Sequence, residues 1–172
     1  MNTEQQKETN RIIVCGVLGI ITMVYLALII CVNVQHFNYK MNSDIGAEAV
    51  LARLIWNSGE MVPSTWISST ETRIIATPQL AALFYGWTGD MNLGLGLACC
   101  VMTTGILLAI WCFMKKAGFR TESCLLMCVL SLALSGNMTI LELLYLFASY
   151  YGIHVITFFF IMNCYVMLIC WS

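Results

Sequence analysis

Long uncharged stretches alternate with shorter polar segments along the chain. Positions 12–33, 92–114 and 152–171 contain no acidic residue, lysine or arginine. At a rise of about 1.5 Å per residue, roughly 20 such residues cross the hydrocarbon core of a bilayer. The pattern therefore predicts a transmembrane helix at each of the three stretches.

The polar segment 34–91 has its own helix signals. Asn42-Ser43-Asp44 is typical of a helix start and Gly59 of a helix end, which predicts a helix near 44–57. Its expected apolar stripe consists of Ile45, Ala49, Ala52 and Trp56. Thr77 as the cap and Pro78 at the first helical position open a second, shorter helix near 78–86. Both are too short or too polar to span. We expect the first to lie on the outer membrane surface and the second to be interfacial or re-entrant. Asp90 is expected to cap the span that follows this segment.

The sequence of region 122–150 is compatible with two different structures. An apolar stretch is interrupted at Ser135-Gly136-Asn137, and a capping-box pattern from Thr139 to Glu142 starts a new one. Either one kinked span or two half-helices occupy this region. The predicted fold is an all-α, polytopic transmembrane bundle of about four spans, with an external loop that carries two short helices.

Composition agrees with a membrane protein. The chain is 60% hydrophobic and 10% charged, with a mean hydropathy of +0.83, whereas soluble domains average about 25% charged residues. The net charge of -1 gives no electrostatic argument for nucleic-acid binding. All nine cysteines lie in apolar stretches, where they act as small apolar residues rather than as disulfides or metal ligands.

Basic residues predict the orientation. Two precede the first span and three follow the second: Lys7 and Arg11, then Lys115, Lys116 and Arg120. The positive-inside rule places them in the cytoplasm, and with them the tail 1–11 and the loop 115–121. The loop 34–91 is then external.

A few charged residues in this loop are candidates for chemistry. Asp44 and Glu48 lie one turn apart at the predicted membrane boundary. Asp44 can accept a proton from a hydroxyl or hold a divalent cation that carries a phosphate, but an acid in the first turn is also favoured by the helix dipole alone. Glu71 and Arg73 can bind a phosphate or a sugar, or form a solvated pair.

Two further residues lie in or beside the later spans. His154 is external by this topology and can contact a phosphate, or it can serve as an interfacial anchor. Glu142 is an acid in an otherwise uncharged region, a feature often linked to function in membranes, although the capping box supplies a structural reason for it.

Two segments carry a resemblance to a known family. The segment 42–52 (NSDIGAEAVLA) resembles the first external loop of polytopic glycosyltransferases of the C superfamily, which include protein O-mannosyltransferases and oligosaccharyltransferase catalytic subunits. The segment 66–73 (WISSTETR) is similar to one in uncharacterised bacterial membrane proteins of this type.

The resemblance implies transfer of a sugar from a polyprenyl-phosphate donor at the outer face of a bacterial plasma membrane. Asp44 matches the acid that acts as general base or positions a divalent cation, and the substrate contacts expected beside it are Glu48, Glu71, Arg73 and His154. Family members have roughly a dozen spans. We therefore expect the chain to be the N-terminal portion of a longer protein, inactive by itself.

Two alternatives stay open. Gly94, Gly96 and Ala98 can let a neighbouring helix approach closely, which is typical of a non-catalytic accessory or assembly protein with other membrane subunits as partners. A transporter would instead use the interruption near Gly136, with Asn163 among its few polar groups.

Overall fold

A computed structural model of the chain describes residues 3–35, 43–67, 75–133 and 148–171. These residues form helices and connecting turns, and no strand occurs among them, so the all-α prediction is confirmed for this part of the chain. The helices are α1 (Thr3–Gln35), α2 (Ser43–Ser58), α3 (Thr77–Thr88), α4 (Met91–Lys116), α5 (Thr121–Ala133) and α6 (Ala148–Trp171).

Among the described residues, two helices are long and apolar enough to cross a membrane. They are Glu4–Gln35, which is 32 residues of α1, and the 26 residues of α4. The described part of α5 has 13 residues, and the apolar part of α6 is Gly152–Leu168. The predicted interruption at Gly136, together with Asn137 and Glu142, lies outside the described residues.

Helix α4 is the centre of the bundle. Its first half packs with α2 and α3 in one hydrophobic cluster, which reaches along α4 to Met102. Its second half, with Ile106 and Ile110, packs with α1 and α5 in another. Because α4 contacts helices on several sides, its pattern is apolar all round, as expected for a helix at the centre of a bundle.

Glycines allow the helices to approach α4 closely. A Cβ added to Gly96 would lie 2.2 Å from the backbone oxygen of Asn33 on α1, and one added to Gly94 would lie 3.0 Å from the backbone oxygen of Ala81 on α3. The prediction that these small residues accept a close neighbour is therefore satisfied by helices of the chain itself. Ala98 is also fully buried.

Contacts at both ends fix the helix directions. Asn33 near the end of α1 meets the start of α4, while Arg11 near the start of α1 pairs with Glu122 just after α4, so α1 and α4 are antiparallel. Helix α6 runs parallel to α4. Ile156 packs on Gly105, and further along the rings of Phe159 and Phe113 have centroids 5.6 Å apart.

A tight turn joins α3 and α4 into an antiparallel hairpin. Gly89 adopts a φ of 71° and donates its N–H to the Tyr85 carbonyl at 2.8 Å, which closes α3. The Asp90 carboxylate accepts the N–H groups of Asn92 at 2.8 Å and Leu93 at 3.3 Å. Asp90 is therefore the N-cap of α4, as predicted from the sequence.

The end of α2 follows the sequence pattern, whereas the start of α3 differs from it. Gly59 closes α2 with a φ of 71°, as predicted. The N-cap of α3 is Ala76 rather than Thr77, and its free N–H is satisfied by the Gln79 side-chain oxygen at 2.9 Å. That bond replaces the hydroxyl cap expected from Thr77.

Candidate functional site

Asp44 lies in the first turn of α2 and its side chain is exposed. The next residue, Ile45, is only 2% exposed and belongs to the cluster of α2, α3 and α4. Ala52 and Ile55 continue this buried face along α2. Because the helix is held by this face, the carboxylate of Asp44 has a defined position on a packed element rather than on a free loop.

Glu48 follows Asp44 by four residues and is half-buried. It shares the side of α2 that carries Ile45 and Ala52, since residues three and four apart lie on one helix face. One oxygen of its carboxylate has almost no solvent contact. The structure thus brings the two predicted acids onto one side of α2 and gives them different surroundings: one is open to solvent and the other is partly covered.

Two more of the residues considered in the sequence, His154 and Asn163, lie on α6. His154 is exposed on α6, two residues after Gly152, which packs on Met102 of α4. Glu71 and Arg73 lie outside the described residues. Asn163 is buried on α6 and donates from Nδ2 to the Phe159 carbonyl at 2.8 Å.

A groove of about 480 Å³ opens between α2 and the α3–α4 turn. Its polar lining residues are Arg53, Tyr85, Asp90 and Asn92. The Arg53 guanidinium lies 5.8 Å from the centre of the Tyr85 ring and donates to the Tyr85 hydroxyl at 3.5 Å, an arrangement that fixes a cation beside an aromatic face. We call this the Arg53 groove.

Asp44 does not belong to the Arg53 groove. Nine residues separate Asp44 from Arg53 in α2, which at about 100° per residue places them on opposite sides of the helix, about 13 Å apart along its axis. A phosphate held by Arg53 therefore lies away from the carboxylate of Asp44. Helix α2 therefore carries an acid, Asp44, on one side and a cation, Arg53, on the opposite side.

Sequence reasoning did not assign Arg53 or Tyr85 to a site. Arg53 was recognisable only as a residue on the polar side of a predicted helix, and Tyr85 as an aromatic residue at a membrane boundary. Their pairing depends on how α2 crosses α3, where Trp56 covers Gly86 so closely that a Cβ there would lie 2.2 Å from the indole. Glycine at position 86 was the one available sign of that close contact.

Polar groups are also buried at the start of α3. Gln79 accepts the Ala76 N–H and donates from Nε2 to the Met61 carbonyl at 3.2 Å. Thr77 is 1% exposed, and its hydroxyl has no hydrogen-bond partner within the described residues. These contacts tie the end of the segment after α2 to the first turn of α3 and position the two helices relative to each other.

The described residues do not form a metal site built from protein side chains alone. No group of three or more histidine, cysteine or acidic residues comes close enough among them to hold a metal ion. Asp44 and Glu48 supply two carboxylates, and Mg²⁺ is commonly bound by one or two carboxylates together with waters and substrate phosphates.

Comparison with known proteins adds no assignment: no family model, curated protein or solved structure matches the chain. The class of protein is therefore defined by its own structure. It is an all-helical protein, as far as the structure describes it, with two helices able to cross a membrane.

Proposed function

We propose that this protein is glycosyltransferase-like and transfers a sugar from a polyprenyl-phosphate donor at the outer face of the membrane. The observation that carries the proposal is the exposed carboxylate of Asp44 next to the fully packed Ile45. It is supported by the resemblance of the segment 42–52 to the first external loop of the C superfamily. A general base needs such a defined position to meet its substrate.

The proposed topology has four crossings, with α1 and α4 as the first two and α5 and α6 contributing to the others. Basic residues at the start of α1 and the end of α4 lie at one end of the bundle, where Arg11 and Arg120 share Glu122. The positive-inside rule places this end in the cytoplasm. Asp44 and the Arg53 groove then lie towards the outer face.

In this topology α3 is re-entrant rather than flat on the surface. It runs back from the Gly89 turn along the first half of α4, in a cluster that extends to Met102. Twelve helical residues cover about 18 Å, so the start of α3 lies at membrane depth. Backbone at that depth must be satisfied inside the protein, and the bonds of Gln79 to Ala76 and Met61 meet that need.

The proposed reaction assigns Asp44 one step. The acceptor hydroxyl attacks the anomeric carbon of the donor sugar and gives its proton to the Asp44 carboxylate. The new bond joins the acceptor oxygen to that carbon, the bond from the carbon to the phosphate oxygen breaks, and polyprenyl phosphate leaves. Glu48, Glu71, Arg73 and His154 are the proposed contacts to the donor head group. The polyprenyl tail stays in the bilayer throughout.

The test replaces Asp44 with asparagine, which keeps the shape and removes the base. Sugar transfer from a radiolabelled polyprenyl-phosphate sugar is measured in the protein's native membranes, which supply any other membrane subunits that transfer requires, and donor binding is measured on the purified chain in lipid nanodiscs. Loss of a general base lowers the rate about 10²- to 10⁴-fold, while donor binding stays within a few-fold because the phosphate contacts are intact.

Glu60→Gln is the matched control, since Glu60 is another exposed acid, located just after α2. It should leave both transfer and donor binding unchanged. Full transfer activity in Asp44→Asn would remove Asp44 from its assigned role. Failure of the unaltered chain to bind the donor, with transfer also absent from the membranes, would reject the glycosyltransferase proposal as a whole.

A second candidate function is that of a non-catalytic accessory protein. It is favoured by the exposure of α1, since only 6% of the apolar part of this helix is buried inside the protein. Residues such as Ile12, Ile20 and Met23 are therefore free to contact lipid or another helix. In that case the chain should copurify with one stoichiometric membrane partner from its native membranes, and cross-links to that partner should form from α1. Recovery of the chain alone would reject it.

A further inference from the structure

A second groove lies at the end of the bundle opposite the Arg53 groove. It has a volume of about 410 Å³ and runs between the start of α1 and the start of α5. Its lining consists of Lys7, Asn10, Arg11, Val14, Arg120 and Glu122. The α1 members are spaced by three and four residues and so form one face of the helix. We call this the basic groove.

Charge at this end is positive in excess. Arg11 and Arg120 both donate to the same carboxylate, that of Glu122, with Arg120 at 3.1 Å. Glu8 also acts electrostatically on Arg11, but the five basic residues at this end outnumber its three acids, Glu4, Glu8 and Glu122. Lys7 has no ion pair within the described residues, and Lys115 and Lys116 add two more cations nearby.

Glu122 keeps its negative charge and organises the two arginines. The hydrogen bond from Arg11 lowers the pKa of Glu122 from 4.5 to about 2, because it favours the ionised carboxylate. The Glu122 side chain is 18% exposed, whereas that of Arg120 is 62% exposed. Both arginines line the groove, and each guanidinium keeps N–H donors that the bond to Glu122 does not use.

The groove continues directly into apolar surface. Val14 lines it and is 46% exposed, and Val17, one turn further along α1, is exposed as well. From Ile12 to its end at Gln35, α1 contains no charged residue. A ligand that carries a phosphate and a hydrocarbon chain matches both parts, whereas a free phosphate makes no use of the apolar wall.

We propose that the basic groove binds the phosphate head group of an anionic membrane phospholipid, with Lys7, Arg11 and Arg120 as donors and the acyl chains along Val14 and Val17. Arginine and lysine are the usual partners of phosphate, and clusters of basic residues beside a membrane helix attract anionic lipids. The proposal rests on the membrane location of α1 and does not depend on the glycosyltransferase activity.

The test measures lipid selectivity of the full chain. The chain is placed in phosphatidylcholine nanodiscs that contain a small fraction of photoreactive phosphatidylglycerol, and cross-linking is compared with that of photoreactive phosphatidylcholine. We expect the chain to favour phosphatidylglycerol, with Lys7→Gln and Arg120→Gln each lowering the preference about fivefold. Cross-links should map to the α1 residues around Val14.

Lys116→Gln is the matched control, because it removes one positive charge from the same end of the bundle but does not line the groove. It should keep most of the preference. Equal losses in Lys116→Gln and Arg120→Gln would reduce the effect to general charge attraction and overturn the proposal. Equal cross-linking of both lipids by the unaltered chain would overturn it too.

Soluble glycerol phosphate distinguishes the two sources of a phosphate group. If the acyl chains contribute as proposed, millimolar glycerol phosphate leaves the cross-linking of phosphatidylglycerol unchanged. Complete displacement at that concentration would show a site for free phosphate and would refute binding of the intact lipid.

Discussion

Gly96→Ala tests the closest helix contact in the protein. The added Cβ would lie 2.2 Å from the backbone oxygen of Asn33 and 3.0 Å from its carbonyl carbon, whereas such carbon–oxygen contacts are ordinarily about 3.3–3.6 Å. Neither atom belongs to a flexible side chain, so α1 must move away from α4 by about 1 Å. A gap of that size removes about a quarter to a half of the dispersion energy of each atomic contact along the interface.

The magnitude follows from two opposing effects. Overpacking of this kind costs about 1–3 kcal/mol, and alanine recovers up to about 1 kcal/mol over glycine in a helix interior. We expect a net loss of about 1–2 kcal/mol, which for a chain of this size lowers the melting temperature by roughly 2–8 °C. The buried thiols of Cys99, Cys124 and Cys128 provide the assay, since a thiol-reactive coumarin labels them as the protein unfolds.

Gly19→Ala on α1 is the control for Gly96→Ala. A Cβ at Gly19 meets nothing within 4 Å, so only the gain in helix propensity remains and the melting temperature should not fall. If Gly96→Ala melted at or above the temperature of Gly19→Ala, the close approach of α1 and α4 at Asn33 would be refuted.

Two further predictions concern charged groups at opposite ends of α4. Asp90→Ala removes the acceptor of the Asn92 and Leu93 N–H groups and should destabilise the protein by about 0.5–2 kcal/mol, while Asp90→Ser restores an N-cap and most of the stability in the same thermal assay. The Glu122 carboxylate, whose pKa falls from 4.5 to about 2 on folding, stabilises the protein fully above pH 4.5 and loses this effect as the pH falls towards 2. The difference in melting temperature between the unaltered chain and Glu122→Gln should therefore shrink over that range, and a constant difference would contradict the pairing of Glu122 with Arg11.

The positions of helices along the chain were the most predictable part of the fold. The uncharged stretch 92–114 falls within α4, and the signals at Gly59 and Asp90 mark a helix end and a helix start in the structure. These signals are local, because they depend on backbone conformation and on hydrogen bonds within a few residues. The cap of α3 was missed because Gln79, a residue without a strong positional preference, satisfies the Ala76 N–H in place of a hydroxyl.

Contacts between helices were far less predictable. The expected apolar stripe on α2 included Trp56, yet Trp56 is 49% exposed and packs over Gly86, while Ile55 enters the cluster with Ile45 and Ala52. A helical wheel gives the width of an apolar face but not which neighbour covers it. The Arg53 groove was missed for the same reason, since it exists only where α2 meets the α3–α4 turn.

The small residues of α4 bear on the choice between the two candidate functions. In the sequence, Gly94, Gly96 and Ala98 favoured an accessory protein because they can accept a helix from a partner. In the structure, Gly94 contacts α3 and Gly96 contacts α1, so neither faces outward. The large apolar side chains that remain exposed to a partner, such as Ile20 and Met23 on α1 and Phe160 on α6, suit lipid equally well. The accessory function has thereby lost the feature that was specific to it, whereas the exposed acid on a packed helix, on which the transferase proposal depends, is retained at Asp44.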